Sequence, residues 1–303
     1  MDEETLDSQK SSQVTAPRPL DIVVKTRRKD VETYLQLQTD LVMHCRLGGN
    51  VYVIVPGEDV SFFRGIIQND FIVASSEQIL ESAGYSGEFP DTWSTQQIVK
   101  ILAAHLVAHD QYLIVDSNTL IGFDFDENFF LRGVDYVYAI GEFYDAAWEL
   151  QTRNFLKLYQ ADRIYGFRAV NQIFIKANVR RLIHYVEALY QRNVVAILLS
   201  YSDEFCTEYW AEYALYGVFV QCILDGTGHY FERRRDVVHF SFREDFSEFL
   251  AEVKRERPLM IKFHKRRPRY ELTSDEYSKY VAKIKAVYRA PRSGRPNVRS
   301  HPL

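Results

Sequence analysis

Apolar residues along this chain gather into short blocks separated by polar stretches of helical period. "PLDIVVKT" (19–26) is a β-branched run of strand length. "RKDVETYLQLQTDLVMHC" (28–45) follows it and sets Val31, Leu35, Leu37 and Leu41 close to helical spacing. Gly48, Gly49 and Asn50 punctuate that helix, and "VYVIVP" reads as a second strand stopped by Pro56 and Gly57. "DFIVAS" reads as a third strand, and a helix over 93–109 leads into a fourth at 112–115. Strands and helices alternating in this order predict a mostly parallel central sheet covered by helices on both faces, an α/β fold.

The second half is patterned more loosely. "VDYVYAI" and "AVNQIFIK" have strand character, "NVRRLIHYVEALYQ" and "EYWAEYALYGVFVQCI" helical character, and "PLMIKFHK" looks like a late strand. No internal repeat appears, and composition does not break before about residue 285. The expected organisation is a disordered leader at 1–18, one domain at 19–285 and a basic flexible tail at 286–303.

Composition narrows the class. Hydrophobic residues make up 47% of the chain, enough for a large core, yet the longest apolar runs, "NVVAILLSY" and "YGVFVQCIL", are far shorter than a bilayer span of about 20 residues. The start, "MDEETLDSQKSSQVTAPRP", is acidic and polar, without the apolar centre of a signal peptide. Cys45, Cys206 and Cys222 match neither a disulfide framework nor a zinc site, so a reducing, cytoplasmic setting is expected. The net charge of −4 is uneven: from Ala251 onward fifteen Lys and Arg face five acids, which leaves the remainder at −14. A basic C-terminal segment suits polyanions, or simply a solvated helix and tail. No RNA-binding signature interleaves aromatics with those charges, so nucleic acid is not the expected partner.

Four places carry candidate chemistry. In "DTWSTQQIVKILAAHLVAHD", Trp93, Gln96, Gln97, Lys100 and Ala104 share about a third of the helix circumference, a polar strip on an otherwise apolar element. The strip is either a cleft wall from which Lys100 reaches a phosphate or a face in water. Next, "QYLIVDSNTL" runs a buried strand into Asp116, Ser117 and Asn118, and the carboxyl ends of strands are where open α/β sheets bind ligands. Asp116 and Asn118 offer oxygen ligands of the kind Mg²⁺ or Mn²⁺ prefers, while Asp124 and Asp126 nearby could solvate a loop. Glu208 and Glu212 in "TEYWAEYALYG" would stack on one helix face, where a cation or a sugar hydroxyl would relieve them, beside a tyrosine stripe at 209, 213 and 216. His264 in "LMIKFHKRRPRY", at a strand end, is a metal ligand or a structural imidazole. No Ser-His-Asp order, glycine-rich phosphate loop or Cys-x-x-Cys pattern appears.

The sequence resembles a largely uncharacterised bacterial family of presumed glycosyltransferases with the GT-A (nucleotide-diphospho-sugar transferase) fold. "DIVVKTRRKDVETYLQLQTDL", "VYVIVPGEDV", "WSTQQIVKILAAHLVAHDQYLIVDSNTLI", "GFRAVNQIFIK" and "AEYALYG" carry the likeness, over about 19–220. That family's usual text is an aromatic residue, Gln-Gln, an apolar pair and Lys, before a strand ending Asp-Ser-Asp. The resemblance implies a GT-A-like single domain that transfers a sugar from a nucleoside diphosphate sugar to the hydroxyl of a glycan, lipid or small molecule. It places Lys25, Thr26, Gln96, Gln97, Asp116 and Ser117 around the donor, and Mn²⁺ or Mg²⁺ on Asp116, Asn118 and His264. Lys100 would stabilise the leaving group, and Glu212 would bind the acceptor hydroxyl or act as base. Asn118 stands where the family has a second aspartate, which weakens a metal site and leaves open a degenerate relative that binds nucleotide sugar, glycan or a partner without turnover.

Overall fold

The computed structural model describes residues 18–290, except 69, 90–92, 141–145, 160–165, 168–170, 205–209, 235–236, 241–245, 264–265 and 268–269. The first apolar run forms β1 (Asp21–Lys25), followed by α1 (Val31–His44), β2 (Val51–Val55), α2 (Val60–Ile66), β3 (Ile72–Ser75), α3 (Ser76–Ser82), α4 (Trp93–Leu102) and β4 (Gln111–Asp116). A 3₁₀ turn carries α4 on to His105, so the regular helix ends earlier than its apolar pattern. Beyond lie β5 (Thr119–Ile121), β6 (Leu131–Arg132), β7 (Asp135–Ile140), α5 (Ala146–Phe155), β8 (Ile173–Ile175), α6 (Lys176–Tyr190), α7 (Val194–Glu204) and α8 (Glu212–Ile223). The remainder comprises β9 (His229–Arg233), β10 (Val237–Phe240), α9 (Phe246–Glu256), β11 (Met260–Phe263), the short pair β12 (Arg266–Arg267) and β13 (Tyr270–Glu271), and α10 (Ser274–Arg289).

The central sheet has the order β3-β2-β1-β4-β8, parallel except for β8, with helices on both faces. This is the mostly parallel, helix-flanked α/β architecture expected from the alternating pattern. Alternation within each strand explains why both faces need cover. Val23 of β1 and Tyr112 and Ile114 of β4 pack toward α4, α6 and α8, while Ile22, Val24, Leu113 and Val115 pack toward α1 and α2. Asp21 fastens the amino ends of three strands: it accepts from the Asn50 and His109 amides at 2.7 and 2.9 Å and pairs with the His109 ring at 2.7 Å.

Where it is described, the basic segment from Ala251 onward is more structured than its charge suggested. β11 lies between β10 and β5 in a second sheet, antiparallel to β5 with Lys262 opposite Thr119. Phe249, Val253, Val281 and Ile284 of α9 and α10 cover it together with Leu120 and Ile261. The basic tail was expected to begin at 286, but α10 runs to Arg289 with Val287 buried, and its Lys285 pairs with the buried Asp40 of α1 at 2.5 Å. Among the described residues, no helix is long and apolar enough to cross a membrane.

His229, at the start of β9, is buried against Tyr138 and Tyr216. The Tyr216 hydroxyl accepts from the Ile175 amide at 2.9 Å and lies 2.7 Å from His229 Nε2, while Nδ1 is 3.3 Å from the Tyr136 carbonyl. Such a network fits a neutral ring that accepts at Nε2 and donates at Nδ1. Burial lowers the His229 pKa to about 4, against about 6.5 in an unfolded chain. The stabilisation is fully present above that unfolded value and is lost as pH falls toward 4, because only the unfolded chain takes up the proton. Urea midpoints should therefore fall between pH 7 and pH 4 by a contribution on the order of 3 kcal/mol from this group. His229→Asn should flatten the slope, and an unchanged slope in that variant would assign the pH dependence elsewhere.

Candidate functional site

The chain proceeds β1, β2, β3 to one side and then returns so that β4 pairs with β1 on the other. Between β1 and β4 the direction of winding reverses, and open α/β sheets leave a crevice at the carboxyl ends of strands flanking such a point. Lys25, the last residue of β1, is in register with Asp116, the last residue of β4. Thr26 follows Lys25. Both are buried, and Lys25 Nζ donates to the Thr26 carbonyl at 3.2 Å.

Asp116 is surrounded by cations. Lys100 Nζ, near the end of α4, lies 2.5 Å from Oδ1, and Lys262 Nζ of β11 lies 2.5 Å from Oδ2. Lys100 also donates to Glu212 Oε1 at 2.8 Å and to Gln97 Oε1 at 3.4 Å, and it stands 5.5 Å from the centre of the Tyr213 ring. Burial would drive the Lys100 ammonium toward the neutral amine, but Asp116 and Glu212 outweigh it and raise its pKa above the ordinary lysine value. Burial likewise opposes ionisation of Asp116, and the two lysines overcome it, holding the carboxyl far below its usual range. The Tyr213 hydroxyl is pushed up by burial and by the two neighbouring carboxylates, so it stays protonated.

Asn171 completes the floor of the cluster. Its backbone φ of 63° is a left-handed value that asparagine tolerates better than most residues. In that turn its side-chain oxygen accepts from the Asp116 amide at 3.2 Å and from the Thr119 hydroxyl at 3.4 Å. Asn171 Nδ2 and Thr26 Oγ1 are buried donors without a hydrogen-bond partner among the described residues. Two orphaned donors beside the ends of β1 and β4 are what a bound phosphate or ribose oxygen would satisfy.

Several expected residues converge here, though not in their expected states. Lys100 was read as a cation free to approach a phosphate, but its ammonium has three protons and each is matched by a protein oxygen. An unpaired ammonium buried this deeply would be costly, which is why both carboxylates close on it. Glu212 was read as stacked on Glu208 in one helix. Instead Glu212 is the first residue of α8, Trp210 and Ala211 before it are not helical, and Glu208 lies outside the described residues. Its carboxylate is buried against Lys100 rather than open to an acceptor. Gln97 belongs to the cluster, with Nε2 donating to the Trp93 carbonyl at 3.1 Å, whereas Gln96 is only half-buried and Trp93 is exposed. Ser117 and Asn118 form the turn between β4 and β5, both half-buried. His264 lies outside the described residues.

The donor set does not fit the divalent ion that the resemblance implied. Each Asp116 oxygen already faces an ammonium, and no group of three or more His, Cys, Asp or Glu able to hold a metal occurs among the described residues. A dication about 4 Å from a single ammonium would be repelled by about 8 kcal/mol at an effective dielectric near 20. Missed altogether in the sequence were Lys262 and Asn171. A lone lysine inside the apolar run "LMIKF" was the available signal for Lys262, because a strand buries such a charge only against a partner.

A sequence profile describing a family of unknown function, DUF6492, matches residues 25–237, from the last residue of β1 to the first of β10. The chain belongs to that family. Its matched region contributes Lys25, Lys100, Asp116, Asn171 and Glu212 to the cluster, and Lys262 comes from beyond it. No curated protein sequence matches the chain. Among solved structures, the crystal structure of an active-site mutant of LgtC is similar over 88% of this chain and 96% of that one, with 12% identity and a TM-score of 0.49. That distance is too great to transfer a role to any residue.

The cluster's energetics are testable without a substrate. Lys100→Met leaves buried Glu212 without its cation and Asp116 with Lys262 alone, and should destabilise the fold by about 3–5 kcal/mol in urea unfolding. Lys262, whose side chain is 18% exposed against 7% for Lys100, should cost about 1 kcal/mol when changed to methionine. Equal losses from the two variants would mean that Lys262 is as firmly built into the fold as Lys100.

Proposed function

We propose that this member of the DUF6492 family is a GT-A-type glycosyltransferase that moves a sugar from a nucleoside diphosphate sugar to a hydroxyl-bearing acceptor. One observation supports this most: the β1–β4 crevice sets a carboxylate, two ammoniums and two orphaned buried donors at the carboxyl ends of parallel strands. The sequence resemblance points the same way.

In the proposed reaction the acceptor oxygen attacks the anomeric carbon, its proton passes to a base, and the carbon–oxygen bond to the diphosphate breaks with its electrons leaving on the phosphate. Charge therefore grows on the diphosphate, and preorganised cations are what lower that barrier. Lys25 and Thr26 would meet the nucleoside end, with the Thr26 hydroxyl donating to it. Ser117 and Asn118 would present the β4–β5 turn to the diphosphate, with Gln96 and Gln97 on the α4 side. Asp116 would hold Lys262 in place, and Lys100 would add positive potential from below without direct contact. Glu212, closed against Lys100, serves here as the positioning residue for that lysine instead of the acceptor base.

A second reading is favoured by the closure of Lys100 and Glu212 and by the amide at Asn118: a protein that binds nucleotide sugar without turnover. Purified full-length protein incubated with a panel of nucleotide sugars and sugar or lipid acceptors, with and without Mn²⁺, separates the two. Transfer predicts release of nucleoside diphosphate from one donor, reduced on the order of 100-fold by Asp116→Asn. Binding without release from any donor would support the second reading, and neither binding nor release would contradict both.

A further inference from the structure

We propose that Lys262, supplied by a strand beyond the family-matched region, is the cation that receives the donor diphosphate, so that donor binding requires no divalent metal. This rests on the nucleotide-sugar reading of the same site and specifies the chemistry by which it would work.

The inference begins with how the two lysines differ. Lys100 spends all three ammonium protons on Asp116, Glu212 and Gln97. Lys262 has one charged partner among the described residues, Asp116 Oδ2. That contact is close, at 2.5 Å. Lys262 is also the more exposed of the two. One cation is thus locked into the fold by three oxygens, and the other is held, among the described residues, by a single carboxylate. An arriving diphosphate oxygen can accept from the Lys262 ammonium while Asp116 keeps it nearby.

Charge balance points the same way. Lys100, Lys262, Asp116 and Glu212 sum to zero, and buried Lys25 at the end of the adjoining strand brings the cluster to +1 before ligand arrives. Metal-dependent diphosphate sites work from excess carboxylate, which draws the dication that then bridges to phosphate. Here the two ammoniums have consumed that excess. A lysine can carry diphosphate as a point charge in place of the metal.

Lys262 reaches the site through strand register. β11 pairs antiparallel with β5, and Met260, Ile261 and Lys262 stand opposite Ile121, Leu120 and Thr119, which brings Lys262 beside the turn that follows Asp116. Ile261 is buried under α9 and α10, and Lys285 of α10 is tied to Asp40, which also accepts from the Ile121 amide at 3.1 Å. The C-terminal unit therefore fixes where the Lys262 backbone lies, and the site lacks its accessible cation without that unit.

Equilibrium binding of uridine, guanosine, adenosine and cytidine diphosphates to the full-length protein, in EDTA and in excess Mn²⁺, tests the proposal. At least one nucleotide should bind with the same affinity in both buffers. Lys262→Met should weaken that binding by about 10- to 100-fold, whereas Lys262→Arg should stay within a few-fold of the parent. Lys262→Gln, which keeps a hydrogen-bonding head for Asp116 but no charge, should lose affinity like the methionine variant and guards against a folding defect in it. Binding that requires Mn²⁺ and is unaffected in all three variants would overturn the role of Lys262 while leaving the nucleotide-sugar reading standing. Absence of binding in either buffer would overturn that reading, and this inference with it.

Discussion

Burying a carboxylate at the end of a parallel strand is the constraint around which this molecule is arranged. Asp116 terminates β4 at the one place in the central sheet where winding reverses, and the interior there does not tolerate an uncompensated charge. Compensation comes from two directions, Lys100 from a helix packed on one face and Lys262 from the second sheet, while the Asn171 side chain accepts from the Asp116 amide. Lys100 then needs a second carboxylate of its own, which explains why Glu212 opens α8 where it does. Remove Lys100 and the carboxylates around it become costly, so the cluster couples segments that are far apart in the chain.

That coupling gives the C-terminal region a meaning its composition concealed. A run of lysines and arginines is ordinarily a solvated face. Here one of them, Lys262, is drawn inward by register with β5, and another, Lys285, locks α10 onto α1 through Asp40. The basic excess of the last fifty or so residues is therefore part structural. Residues outside the family-matched region finish a cluster whose other members lie within it.

Much of the fold was legible because its code is local. β1, β2, β3 and β4 are unbroken apolar runs of strand length, and two-sided burial of a parallel sheet writes just such runs. Asp116 and Lys100 could be singled out from strand-end position and from a polar strip on an apolar helix. Their pairing could not, because it depends on how α4 packs on the sheet. Lys262 escaped because an antiparallel pairing between β5 and a strand some 140 residues later leaves no trace in either segment, and Asn171 because its contacts to Asp116 and Thr119 depend on a turn over 50 residues away. The lysine in the middle of "LMIKF" carried the one available signal, a charge inside an apolar run that a strand draws inward only beside a partner. Glu212 was misplaced by a start assumed too early for α8, since Trp210 and Ala211 are not helical.

An experimental structure of the full-length chain with a bound nucleoside diphosphate, grown in the presence of Mn²⁺, probes the central claim most directly. The expected result is a diphosphate at the carboxyl ends of β1 and β4 within hydrogen-bond reach of Lys262 Nζ, with Lys100 still held between Asp116 and Glu212. A manganese ion bridging Asp116 to the phosphates with Lys262 turned away, or a nucleotide lodged elsewhere on the molecule, would contradict it.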